Sequence, residues 1–229
     1  PLSLILGTFV AELFTNILSI IFLFYVFKDK SFKLYFLNIY SLIFFLWCIY
    51  LIILSLLSDN IYLSLSSSLF YFRFGIFALS IFYFVKKDLL YLKYLYFSLV
   101  LCLLSLSIDG FYQFFSGENI LGFKYSGDRL SSFFGTELIL GSYISRLMPI
   151  FFAISTLLFF KNRLNILFSI ILLILADLLI YFSGERAAFF YLISYTLILI
   201  IMLKKHNNIR FYALIVSILL VTIFSLFNP

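Results

Sequence analysis

The sequence predicts an all-α, polytopic integral membrane protein, and three observations carry that prediction. Hydrophobic residues make up 65% of the chain and charged residues only 11%. Mean hydropathy is +1.18. Apolar runs of about 20 residues, the length a helix needs to cross a bilayer, recur from one end to the other. Water could not solvate such a surface, and 229 residues could not bury it all in one core. A soluble domain is excluded.

Taken in order, eight spans are expected at about residues 2–27, 34–57, 61–85, 90–114, 137–160, 164–182, 187–203 and 210–227. One longer loop, about 115–136, separates the fourth from the fifth. No internal repeat, low-complexity linker or second domain is visible, so residues 1–229 read as a single transmembrane domain. The chain opens almost inside a span with no initiator Met or cleavable signal pattern, and it stops at "SLFNP". The expectation is a fragment that lacks an N-terminal helix and a C-terminal outer loop with further helices.

The formal charge of +6 asks where the cations lie. Lys28, Lys30 and Lys33 follow span 1, and Lys86, Lys87 and Lys93 follow span 3. Lys161 and Arg163 follow span 5, and Lys204, Lys205 and Arg210 follow span 7. By the positive-inside rule these loops face the cytoplasm. Eleven of the sixteen basic residues are thereby topology signals, leaving Arg73, Lys124, Arg129, Arg146 and Arg186. No nucleic-acid patch remains. The same assignment puts the 115–136 loop and the "SGER" turn, residues 183–186, on the outer side with most of the acids. Cys48 and Cys102 fall within spans and read as packing residues.

Charges inside spans are costly and usually face protein or a wet cavity. On span 1, Thr8, Glu12, Asn16 and Ser19 fall within about 80° of one another at 100° per residue. On span 3, Tyr62, Ser66, Arg73 and Ser80 form a stripe of about 40°. Both stripes are expected to point inward, with Glu12 and Arg73 as partners at similar depth. They read either as a structural ion pair or as a substrate-facing pair. Span 4 carries Ser105, Asp109 and Gln113 at four-residue steps, and span 6 carries Asp177 and Tyr181 at the same step.

Glu137 and Arg146 lie about 180° apart on a regular span 5 and cannot line one cleft. Gly141 and Ser145 permit close backbone contact with another helix, and Pro149 is expected to kink the span. Arg129 and Arg146 are then expected to flank an outward cavity, with Glu137 orienting the loop or capping the helix start. Arginines around such a cavity suit a multiply charged anion, because guanidinium stays protonated and forks onto phosphate oxygens. The single histidine, His206, lies in a cytoplasmic loop, and no metal-ligand, phosphate-loop, dinucleotide or Ser/His/Asp pattern occurs.

"SIDGFYQFFSGENILGFKYSGDRLSSFFGTELILGSYISRLMP", then "YFSGERAAFF", together with "SLFYFRFGIFAL" around Arg73, resembles the O-antigen ligase/O-antigen polymerase family of bacterial inner-membrane proteins. The likeness lies in the order of pieces and covers roughly residues 60–200. It implies a cofactor-free, metal-independent glycosyltransferase acting on the periplasmic side of the inner membrane. The donor would be a polyprenyl-pyrophosphate-linked glycan. The acceptor would be lipid A core for a ligase or a second lipid-linked glycan for a polymerase, and membrane lipids would surround both.

Under that resemblance Arg129, Arg186 and Glu137 form the catalytic set, with Arg129 on the diphosphate. Arg146, Arg73, Asp109, Gln113, Asp177 and Glu185 contact substrate, Arg73 supporting either the fold or the lipid-proximal phosphate. Glu137, Asp109, Asp177 and Glu185 are all placed to act as the base, and none is singled out. The family's later outer loop, with further arginines and in ligases a histidine, falls beyond this chain. Ligase and polymerase are therefore not separated, and activity of this piece alone does not follow. The rival readings are a transporter or flippase for a lipid-linked or anionic substrate, and a structural subunit whose buried charges only pair helices.

Overall fold

A computed structural model describes residues 1–125, 129–159, 163–202 and 207–227. Asp128, Lys161, Lys204, Lys205 and His206 lie outside the described residues, as does the side chain of Arg163. Of the described residues 83% are helical, and none forms a strand. Among the described residues, seven helical stretches are long and apolar enough to cross a membrane. An all-α, multi-pass membrane protein is what the composition predicts.

The helices are α1 (Leu2–Ile5), α2 (Thr8–Lys28), α3 (Phe32–Phe36), α4 (Ile39–Leu56), α5 (Ile61–Ser68), α6 (Phe72–Lys87), α7 (Leu89–Ser116), α8 (Leu140–Phe159), α9 (Arg163–Phe182), α10 (Arg186–Met202) and α11 (Asn207–Phe227). A short 3-10 turn at Ser132–Phe134 interrupts the loop before α8. Seven of the eight expected spans match the long apolar helices; the seventh, α10, is apolar over the shorter stretch Arg186–Leu199. Two differ internally. Gly7, at φ 126°, takes a backbone conformation that L side chains rarely adopt and divides the first span into α1 and α2. The third is broken between Ser68 and Phe72.

The chain forms two compact units, one of residues 6–92 and one of residues 1–5 with 93–229. In a bilayer, apolar helices gain nothing by hiding from lipid, so small residues and polar contacts decide which faces meet. In the first unit, α2 and α6 run parallel, joined near their starts by Glu12 and Arg73 and near their ends by Tyr83 and Asp29. Phe44 of α4 lies over Gly75 of α6, where a Cβ would collide with its ring. Ser55 of α4 bonds Ser68 of α5 at 2.8 Å.

The predicted inward stripes are not uniform. Thr8, Glu12 and Asn16 are exposed, as are Tyr62 and Ser66, whereas Ser80 is buried. Between α5 and α6 the chain stays in the right-handed helical region but tightens to bonds from the Tyr71, Arg73 and Phe74 amides to the carbonyls three residues earlier, which offsets the helical phase across the stripe.

The second unit packs α7 to α11 around a core that includes Leu99, Leu103, Leu106, Ile144, Phe151 and Leu179. Half of the membrane-length stretch of α8 is buried, against 17% for α11, which places α8 centrally. Gly141 allows this: a Cβ there would strike Ser183 and approach Ala188 to 3.0 Å. The close approach expected at Gly141 is present, and Ser145 one turn on is buried. Helix α8 continues through Pro149.

Candidate functional site

At one end of the second unit the last turns of α7, α9 and α11 meet the first turns of α8 and α10. Phe114, Phe182 and Phe224 mark that end, with Phe114 and Phe182 centroids 4.5 Å apart and Phe182 and Phe224 5.5 Å apart. The loop between α7 and α8 folds onto it.

That loop is built on two side chains from the last turns of α7. Asp109 and Gln113, one turn apart and both 0% exposed, face inward because of the four-residue step. Asp109 accepts from Ser132 Oγ at 2.7 Å, from the Ile120 amide at 3.0 Å and from Asn119 Nδ2 at 3.4 Å. Gln113 Oε1 accepts the Ser132 and Ser131 amides at 2.8 and 3.2 Å, while its Nε2 donates to the Phe123 carbonyl at 3.1 Å. Asn119 closes the network by donating to the Ser132 carbonyl at 2.8 Å. Asp109 and Gln113, expected at substrate, are thus engaged with the loop.

This network holds Ser132 at φ 50°, a left-handed conformation that a non-glycine residue keeps only when its surroundings impose it. Just before it, Leu130 is fully buried and its amide donates to the Phe182 carbonyl at 3.2 Å. Arg129 is therefore an exposed residue next to a fixed anchor, beside the end of α9. Its backbone position is set by the buried polar network behind it.

The turn from α9 to α10 contributes the second group. Glu185 accepts the Gly141 amide at 2.7 Å and the Ser142 amide at 3.2 Å, and it also accepts from Ser142 Oγ. A carboxylate on the free amides of a helix start is a charge-assisted cap. The cap of α8 is therefore Glu185 and not Glu137. Helix α8 begins at Leu140, which leaves Glu137 outside it, exposed and without a side-chain hydrogen bond among the described residues. Arg186 opens α10 and is exposed. Arg146, two turns into α8, is exposed with its guanidinium 5.8 Å from the Tyr191 ring of α10.

Arg129 and Arg186 thus stand at one end of the unit, with Arg146 about 9 Å further along α8 at 1.5 Å per residue, and among the described residues none has a carboxylate within 4.0 Å. Arg73 belongs to the other unit, where it pairs with Glu12 at 2.9 Å. That is the ion pair expected from their depth.

A cavity of about 730 Å³ lies among α9, α10 and α11. Glu185 and Arg186 line one end, Ile180, Phe189, Ile193 and Ile218 its walls, and Asp177, Thr196 and Ser217 the other end. From Arg186 to Leu197 it follows α10 for about 16 Å at 1.5 Å per residue. Exposed flanks such as Phe189 and Leu197 leave it accessible from the side.

At the deep end Asp177 pairs with Arg210 at 2.7 Å, with side chains 5% and 0% exposed. Ser217 donates to the same carboxylate oxygen at 2.9 Å, Arg210 Nε donates to Thr196 Oγ1 at 3.1 Å, and the guanidinium sits 5.0 Å from the Tyr195 ring. Arg210, counted from sequence as a solvated loop cation, is instead buried in the bundle, because Asp177 on a neighbouring helix draws it inward. Asp177 is correspondingly held by protein. No His, Cys, Asp and Glu grouping able to hold a metal ion occurs among the described residues.

Comparison of the chain with protein-family models, with curated proteins and with solved structures finds no match.

Proposed function

We propose that this membrane domain binds a polyprenyl-diphosphate-linked glycan and serves transfer of the glycan, as in the O-antigen ligases and polymerases that its sequence resembles. The observation that carries the reading is Arg186 at one end of an apolar cavity; Arg129 and Arg146, expected from sequence to flank a cavity, do not line this one, and all three arginines are exposed and without carboxylate partners among the described residues. A diphosphate on an isoprenoid chain has that same division into a multiply charged head and an apolar tail.

In the proposed reaction an acceptor hydroxyl attacks the anomeric carbon of the donor sugar, and the bond from that carbon to the diphosphate breaks. Negative charge accumulates on the departing diphosphate, where preorganised guanidinium groups stabilise it. Arg129 is the best preorganised of the three, since the Asp109 and Gln113 network fixes the segment that follows it. The hydroxyl proton needs an acceptor. Of the four acids considered, Asp109, Asp177 and Glu185 are engaged within the protein, which favours Glu137. The proposed active side is periplasmic and the membrane the bacterial inner membrane. A transporter reading would rest on the deep Asp177 and Arg210 charges, but these already neutralise each other.

The test is transfer of glycan from a lipid-linked donor by the full-length protein, with and without chelator. Turnover that survives chelation, is lost in Arg129→Ala and is not restored by Arg129→Lys supports bidentate phosphate recognition. Full activity in Arg129→Ala refutes it.

A further inference from the structure

The first unit carries a cationic collar that the proposed reaction does not use. Because α2 and α6 run parallel, their C-terminal ends coincide: Tyr83 donates to Asp29 at 3.3 Å, and Tyr25 and Tyr83 stack at 6.1 Å. Lys28, Lys30, Lys33, Lys86 and Lys87 are thereby brought to one end of the unit, and all five are exposed. The two acids nearby are Asp29 and Asp88, and none of the five lysines has a carboxylate within 4.0 Å among the described residues.

Aromatic rings sit directly behind these charges. Phe22, Tyr35 and Tyr83 form a buried cluster with ring centroids 5.6 to 5.7 Å apart. Lys87 Nζ lies 4.7 Å from the Tyr25 centroid and 5.6 Å from that of Tyr83, and Lys86 Nζ lies 6.0 Å from Phe82. Phe24 and Phe27, 65% and 66% exposed, flank the lysines at the same end of α2. Aromatic rings at the level where a span leaves the hydrocarbon, with ammonium groups just beyond them, match the headgroup layer. Setting orientation requires only an excess of positive charge in the loop. It does not require five lysines from two connections at one end of the unit, two of them over aromatic rings and none with a carboxylate within 4.0 Å among the described residues.

We propose that this collar is a binding site for the phosphate headgroups of acidic phospholipids. The ammonium groups supply point-charge contacts to phosphate, the rings hold Lys86 and Lys87 at the interface, and acyl chains lie against exposed faces of α2 and α6. Zwitterionic lipids carry a compensating ammonium and are not favoured.

The experiment uses the purified chain in nanodiscs of phosphatidylcholine mixed with phosphatidylglycerol, released and weighed by native mass spectrometry with lipids attached. The reading is independent of the orientation the chain takes in a cell. Phosphatidylglycerol is expected to be retained over phosphatidylcholine by on the order of tenfold at low salt, falling toward parity as ionic strength rises. The combined variant Lys28→Gln, Lys30→Gln, Lys86→Gln and Lys87→Gln is expected to lose the preference, and the matching lysine-to-arginine variant to keep it. Equal retention of the two lipids by the unmodified chain overturns the proposal without recourse to any variant. An unchanged preference in the glutamine variant also overturns it.

Discussion

Arg210→Met gives the sharpest test of how the second unit is held together. The ion pair with Asp177 is buried, at 0% and 5% side-chain exposure, and closed at 2.7 Å. After the substitution Asp177 keeps one described donor, Ser217, and Oδ1 already has none. Removing one member of a buried pair typically costs about 3–5 kcal/mol, because the remaining charge loses its partner without regaining water. Replacing both members by apolar residues of similar size is often neutral, since the desolvation penalty goes with the charges. The expectation is that Arg210→Met and Asp177→Leu each destabilise by about 3–5 kcal/mol, and that the double variant lies within about 1 kcal/mol of the parent. Unfolding of the purified chain in mixed detergent micelles, followed by circular dichroism as the denaturing detergent fraction rises, measures all three. A double variant as unstable as the two singles summed refutes the reasoning.

Four other outcomes follow from the same contacts. Glu185→Ala strips the cap from α8 and should cost about 1–3 kcal/mol, with faster amide hydrogen exchange confined to residues 140–144. Gly141→Ala forces a methyl group onto Ser183 and Ala188 and should cost about 1–3 kcal/mol, part of which returns when Ser183→Ala is added. Gln113→Ala leaves the Ser131 and Ser132 amides without their acceptor and should accelerate proteolytic cleavage between residues 117 and 135 while the helices persist. By contrast Arg73→Ala breaks a pair whose members are 37% and 56% exposed, and should lower stability in detergent by less than about 1 kcal/mol.

Which parts of this arrangement were legible in the sequence follows from the range of the interactions. Helical periodicity and depth placed Glu12 opposite Arg73 and predicted the tight face at Gly141, because both depend on spacing within spans. The four-residue step put Asp109 and Gln113 on one face. Their partners Asn119, Ser131 and Ser132 lie in a loop with no period, so the same step reads equally well as a substrate-binding edge. Glu185 caps a helix that begins more than forty residues earlier, a contact that no local pattern signals. Arg210 is the clearest miss. Its place after a span and beside Lys204 and Lys205 looks like a topology signal, and only the packing of α9 against α11 turns it toward Asp177. Thr196 and Ser217 are single polar positions on their helices, and each becomes informative only once three helices are assembled. The separation of α5 from α6 was hidden because Leu69, Phe70 and Tyr71 are as apolar as the helices they join.

The central claim concerns three arginines and one anionic head. It is tested most directly by the affinity of the nanodisc-embedded protein for a polyprenyl diphosphate, compared with the corresponding alcohol, in the parent and in Arg129→Ala, Arg146→Ala and Arg186→Ala. The account predicts that the diphosphate binds far more tightly than the alcohol and that each substitution weakens it about tenfold or more. Equal binding of diphosphate and alcohol, or an affinity indifferent to all three substitutions, would contradict it.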